Sequence, residues 1–231
     1  RELGRQVTEF VVGHLMEALH EKYKDNAAVA AHLKDVQQNV IDHATDFLPM
    51  APENTPQQQM QIVLGGRGDP AEDTLRRYRV NVFVDNCHRM APDKFGAPVM
   101  QEDHPTLPKL VGRIEHQQRF GTLVTDFMMI KPGALHEANG GYLVLDARKL
   151  LTQPYGWDAL KRALTTKSIR IESPGDLYGL PSTTSLEPEP IPLDIKVVLM
   201  GEPDIYYALM HYDPEFGKLF KVAADFETAM P

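Results

Sequence analysis

The run Gly141-Tyr-Leu-Val-Leu-Asp146 constrains this chain more than any other feature. It is short, continuously apolar and closed by an acid, the form of a central parallel strand with both faces buried. A second such run, Ile195–Met200, follows further on. Parallel neighbours need a crossover, and the intervening sequence supplies one. Residues 147–165 carry helical periodicity, interrupted at Pro154 and Gly156, with Trp157, Leu160, Ala163 and Leu164 on one side. Ile169–Ile171 reads as a brief strand, Pro203–His211 as a helix and Lys221–Phe226 as a final strand. Strand, helix, strand, helix from residue 141 onward predicts an α/β fold with a parallel sheet.

The first 48 residues obey a different period. Val7, Phe10, Val11, Leu15, Ala18 and Leu19 share one helical face, as do Val29, Leu33, Val36, Val40, Ala44 and Phe47. Asn26 is placed to cap the second helix. The pattern predicts a helical hairpin over 1–48 whose two apolar stripes pack on each other. Residues 49–74 read as a linker, with Pro49, Pro52, Pro56, a glutamine run and Gly65-Gly66-Arg67-Gly68, where Arg67-Gly68-Asp69 reads as a turn. The remainder, 75–231, reads as the α/β core. Within it Val80–Val84 alternates like a strand, and Leu110–Glu115 and Leu123–Lys131 read as a β-hairpin joined through Gln117–Gly121. Pro132 is expected to open a short helix that Gly140-Gly141 ends. Residues 173–193 form a long loop, polyproline-like at Glu187–Pro192. The 16 glycines and 18 prolines fit such punctuation.

Charge and cysteine content exclude several classes. Lysine and arginine total 24 against 32 acids, a net charge of −8, so no general nucleic-acid or anionic-lipid partner is expected. A single cysteine, Cys87, excludes an internal disulfide framework and a cysteine-rich zinc site, and fits a cytoplasmic chain. No apolar run reaches the roughly 20 residues a membrane span needs. The chain reads as an internal piece of something longer.

Asp146, at the carboxyl end of a hydrophobic strand, is the strongest candidate for chemistry. Ligands in open α/β sheets sit at that edge, and an acid there can hold Mg²⁺ through water. Alternatively Asp146 caps the following helix, and spacing alone favours the cap. The nine histidines show no His-Glu-x-x-His and read as surface or helix-face residues. The four serines, Ser168, Ser173, Ser182 and Ser185, lie in or beside the long loop, none in a nucleophile turn. No Gly-x-x-x-x-Gly-Lys-Ser/Thr occurs.

The segment Ile130-Lys-Pro-Gly-Ala-Leu-His-Glu-Ala-Asn-Gly-Gly-Tyr-Leu-Val-Leu-Asp146 resembles the ATPase part of Lon-like ATP-dependent proteases, in particular bacterial members akin to archaeal Lon B. The resemblance continues through Trp157–Leu164, Ile169–Glu172, Leu186–Asp194, Lys196–Gly201, Asp213–Phe216 and Leu219–Phe226. With the strand entry at Arg79–Asp85 it covers about residues 75–228. It implies a partial AAA+ (P-loop NTPase-like) parallel sheet carrying the helical hairpin and the β-hairpin. It further implies an unfoldase that uses ATP and Mg²⁺, acts on protein substrates, and self-associates into a ring, usually hexameric, feeding a serine–lysine peptidase.

By that resemblance Asp146 is the Walker B acid that holds Mg²⁺, and Glu202 falls at the sensor-1 position near the γ-phosphate. Lys218 and Lys221 stand in the arginine-finger region, and the 110–131 hairpin projects toward the axial pore. Three departures accompany it. Ala147 replaces the catalytic glutamate, so Glu202 becomes the substitute acid. Lysines replace the finger arginine and lack its planar fork. The phosphate loop and the peptidase serine and lysine fall outside these residues, so this stretch alone is expected to be inactive. A degenerate, non-catalytic AAA+ scaffold for substrate binding or ring assembly is the alternative.

Overall fold

The structure, a computed structural model, describes residues 2–47, 75–86, 96–119, 122–171 and 186–226. The expected linker, the Arg67-Gly68-Asp69 triplet, Cys87 and most of the 173–193 loop lie outside them. The chain divides into two units, Arg1–Val80 and Asn81–Pro231.

In the first unit, helix α1 (Glu2–Lys22) and helix α2 (Ala27–Asp42) are separated by a short polar turn. Asn26 caps α2, its side chain accepting from the Val29 N–H at 3.2 Å. Gly13 lies against Gln37, consistent with antiparallel helices. The expected meeting of apolar stripes is corrected, however. Thr8, Val12, Gly13, Met16 and His20 are partly covered on α1, whereas Phe10 is 80% and Leu15 68% exposed. The covered side of α1 is therefore rotated from the stripe through Phe10 and Leu15 to the one through Val12 and Met16. α2 contributes Val29, Leu33, Val36 and Val40, partly covered, and the buried Ile41. A return segment joins this unit: the Tyr78 hydroxyl donates to Asn39 Oδ1 at 2.8 Å and its ring packs on Phe47.

The second unit is built on a three-stranded parallel sheet in the order β1 (Val99–Glu102), β6 (Tyr142–Asp146), β9 (Lys196–Met200). β6 is central, as its apolar run predicts, and pairs Tyr142 with both Val99 and Lys196. Leu143 and Leu145 are wholly buried. They pack with Leu107 and Leu110 of α3 (Leu107–Val111), Leu135 of α4 (Ala134–Glu137), Leu150 of α5 (Ala147–Thr152) and Leu160 of α6 (Gly156–Thr166).

The expectation of strands buried on both faces is corrected. Val99, Tyr142, Val198 and Met200 are exposed on the other face, because the helices among the described residues cover the Leu143/Leu145 side. β9 alternates between exposed and half-buried residues and, among the described residues, forms one edge of this sheet.

Between β1 and β6 the expected strand over 110–115 is shortened, because its first two residues, Leu110 and Val111, end helix α3. Pro108 sits in its first turn, and Gly112 at φ 86° stops it. The remainder is β2 (Arg113–Ile114), paired antiparallel with β5 (Ile130–Lys131). A ribbon of β3 (Gln117–Arg119) and β4 (Thr122–Val124) extends from it, so the hairpin exists as two stacked ladders. An Asp126-capped 3₁₀ turn, Phe127–Met129, separates β4 from β5.

Val80–Val84 joins no ladder. Instead Asn81 donates to the Phe127 and Ile130 carbonyls at 2.8 and 3.1 Å. Lys221–Phe226 also forms no strand, and Val222 and Phe226 are 87% and 92% exposed. The brief strand near 169 is β7 (Ser168–Ile169), which pairs with β8 (Ile191–Pro192) at the end of the proline-rich run. Helix α7 (Pro203–Tyr212) and helix α8 (Phe216–Leu219) complete the unit.

Candidate functional site

The parallel register sets the candidate site. Asp146 is the partner of Met200, so the carboxyl ends of β6 and β9 lie side by side. Glu202 follows two residues later, as the N-cap of α7. The two acids predicted far apart in sequence therefore share one sheet edge. Asp146 Oδ1 accepts from the Lys149 N–H at 2.9 Å, so the capping role read from spacing is real. Arg148, two residues beyond, reaches across the same edge and donates from Nη2 to Glu202 Oε2 at 2.6 Å. Sequence reasoning had not singled out Arg148; its nearness to Asp146 was the available signal.

Ala147 is 4% exposed, and a Cβ placed on Gly201 would lie 3.2 Å from its methyl. The position after the strand-end acid thus holds a buried methyl packed toward the β9 terminus, and carries no carboxylate. Among the described residues no group of three or more His, Cys, Asp or Glu is arranged to hold a metal. Mg²⁺ takes one or two carboxylates with water and phosphate, and at this edge the Asp146 carboxylate has one oxygen outside its cap hydrogen bond to offer.

Lys218, on α8, and Lys221, just beyond it, are exposed and lie on a separate element. That element is anchored by an aromatic and ionic cluster. Phe216 is buried, with ring centroids 6.2 Å from Trp157, 5.9 Å from Tyr206 and 5.2 Å from Phe220. Trp157 Nε1 donates to Asp213 Oδ2 at 2.7 Å, and Lys161 Nζ lies 3.0 Å from Asp213 and 3.2 Å from Glu215. Burial pushes the Asp213 carboxyl up, but the hydrogen bonds from Lys161 and Trp157 outweigh it and hold the group below the usual range. Burial likewise lowers Lys161, and its bonds to Asp213 and Glu215 reverse the sign.

Asp213→Asn is expected to cost about 2 kcal/mol in urea unfolding, since it strips a half-buried lysine and indole of a charged acceptor. The wild-type advantage is present above the unfolded aspartate pKa and lost as pH falls through the lower folded value. An unchanged midpoint at pH 7 would refute this anchoring. A hollow of about 540 Å³ beside the cluster, lined in part by Tyr155, Arg162 and Thr166, contains neither Asp146 nor Glu202. The lysine on its wall is already taken by carboxylates.

One histidine departs from the surface reading. His136 is 4% exposed; its Nδ1 accepts from the Gly133 N–H at 3.2 Å, and its ring meets Phe83 edge-on at 4.8 Å. Nε2 is buried without a partner among the described residues. Desolvation lowers its pKa from 6.5 to about 4, against a smaller opposing pull from Glu137. Its place between Leu135 and Ala138 on so short a helix was the only hint in the sequence.

A parallel α/β sheet with an acid at its carboxyl edge defines a partial AAA-like fold. Residues 95–227 match the family described as LonB-like, AAA domain, which is more than half of the chain. The chain belongs to that family. It is also 29% identical over 121 residues to an Escherichia coli (strain K12) protein named "Putative Lon protease homolog". That alignment covers 51% of this chain and 20% of the relative, so the chain spans about a fifth of the relative's length. A crystal structure of NtrX from Brucella abortus is similar at a TM-score of 0.35 and 14% identity, over 84% of this chain and 43% of that one. A likeness so slight carries no argument. Among the described residues no helix is long and apolar enough to cross a membrane.

Proposed function

We propose that this chain is part of the ATP-driven unfolding module of a Lon-like serine protease, coupling nucleotide binding and hydrolysis to the unfolding of protein substrates. The observation that carries the reading is the juxtaposition of Asp146 and Glu202 at adjacent parallel strand ends, within a stretch that matches a LonB-like AAA domain. Ligands of open α/β sheets gather at this edge.

In this reading Asp146 keeps one carboxylate oxygen on its helix cap and offers the other to Mg²⁺ through water. Glu202 stands where the γ-phosphate arrives. Lys218 and Lys221 supply positive charge to a neighbouring subunit's nucleotide across a ring contact. The β3–β4 ribbon faces the substrate path. The bound Mg·ATP supplies the phosphoanhydride whose cleavage drives unfolding; the phosphate loop and the peptidase residues come from outside these 231 residues.

The test is ATP turnover and ATP-dependent degradation of an unfolded protein by the full-length protein. Asp146→Asn is expected to lower ATP turnover by about 100-fold, the scale seen when a preorganised charge is removed from a transition state. Undiminished turnover in Asp146→Asn would remove Asp146 from the site. The buried methyl of Ala147 favours one second reading, a scaffold that binds substrate or assembles a ring without hydrolysis. Nucleotide-independent substrate binding with no turnover by the wild type selects it.

A further inference from the structure

We propose that Arg148 is a charge switch at this edge: it pairs with Glu202 when no nucleotide is present and transfers to the terminal phosphate when Mg·ATP binds. The proposal rests on the nucleotide-site reading given above and adds to it a residue and a mode of regulation.

The geometry places one cation, two residues past Asp146 in the chain, on the Glu202 carboxylate. Asp146 ends β6, Glu202 lies just past the adjacent end of β9, and Arg148 reaches Glu202 at 2.6 Å. A triphosphate bound at this edge would already lie beside one carboxylate, that of Asp146. An unpaired Glu202 would add a second like charge close by, and like charges disfavour an anionic ligand. Pairing with Arg148 cancels that charge while the site is empty.

The exposure of the pair decides what it can do. Both side chains are about two-thirds exposed, at 65% and 67%. Ion pairs this open contribute little to folding, because solvent screens them and long side chains lose freedom in forming them. The contact is too weak to hold β9 to α5 and weak enough to exchange. The guanidinium gives Glu202 one hydrogen bond from Nη2. Its remaining N–H groups suit a phosphate, which it grips in the two-point manner a carboxylate or phosphate alone allows. Transfer leaves Glu202 as a free carboxylate only while ATP occupies the site. With a methyl at residue 147, that is the acid the site otherwise lacks.

Equilibrium binding of Mg·ATP and Mg·ADP to the full-length protein separates the possibilities. Arg148→Met is expected to weaken Mg·ATP about tenfold and Mg·ADP less than about twofold, since the lost charge-assisted bonds go to the terminal phosphate. Glu202→Gln frees Arg148 and is expected to tighten Mg·ATP by about threefold. Arg148→Lys keeps the charge without the fork and should lie between wild type and Arg148→Met. Melting temperature should move by less than about 2 °C in each, as for any exposed pair.

Equal loss of ATP and ADP affinity, unchanged ATP affinity in Arg148→Met, or weaker ATP binding in Glu202→Gln would each overturn the switch. So would a large drop in melting temperature, which would make the pair structural. Wild-type protein that binds neither nucleotide overturns both the switch and the reading beneath it. Wild-type binding with an indifferent Arg148→Met overturns the switch alone.

Discussion

Gly133→Ala is expected to destabilise the unit spanning Asn81–Pro231 by about 3 kcal/mol or more, the upper range for overpacking a closed site. A methyl on Gly133 would fall on the carbonyl of Leu110 and on the N of Gly112, all backbone atoms that cannot rotate away. The C-terminus of α3 and the N-terminus of α4 meet here with no side chain between them. The cost is steric and not conformational, because Gly133 has φ −115° and ψ 176°, which any residue adopts.

Gly140 makes the contrasting control. It has φ 81° with nothing within 4 Å of an added Cβ, so Gly140→Ala should cost only about 1 kcal/mol through backbone strain. Gly141→Ala belongs with Gly133, since its Cβ would strike the Pro98 carbonyl. Trp157 is the single tryptophan, so its fluorescence reports urea unfolding of this unit. A Gly133→Ala midpoint no lower than that of Gly140→Ala would show that the α3–α4 contact relaxes freely.

The second large effect is a loss of stability in mild acid caused by His136. Its folded pKa, about 4, lies below the unfolded 6.5, so between those values the unfolded chain binds more protons than the folded one. Stability is therefore full above pH 6.5 and declines as pH falls toward 4, below which this group adds no further loss. At about 1.4 kcal/mol per pKa unit, the decline amounts to about 3 kcal/mol. The charged ring would have to sit against Phe83 with Nε2 unpartnered.

His136→Gln removes the titration while keeping an acceptor for the Gly133 N–H. Its stability should be flat over pH 6.5–4 where wild type slopes. A wild-type profile as flat as that of the variant would contradict the burial of this ring. Asp213 contributes on the opposite side of pH 4, so the two groups separate by window.

The α/β class, β6 at the centre, the crossover helices and the Asn26 cap were legible from the chain alone, because each depends on local pattern. A continuous apolar run bounded by glycine and aspartate has few other solutions. So does an asparagine three residues before a free helical N–H. The segments misread as strands, 80–84, 221–226 and the start of 110–115, share a cause: β-branched or apolar residues favour a strand only where a neighbour offers a ladder. Asn81 bonded to carbonyls instead, and Pro108 with Gly112 turned 107–111 into a helix.

The site divides in the same way. Asp146 announced itself by ending an apolar strand. Arg148 and the buried His136 did not, since a charge pair across 54 residues and a ring shielded by Phe83 exist only once distant segments meet. Local period and punctuation determined which elements form and which acid ends the central strand. Tertiary structure alone decided which sheet face is covered, which strand-end acids share an edge and which cation pairs with Glu202. Register and packing are properties of pairs of segments, and no single segment encodes them.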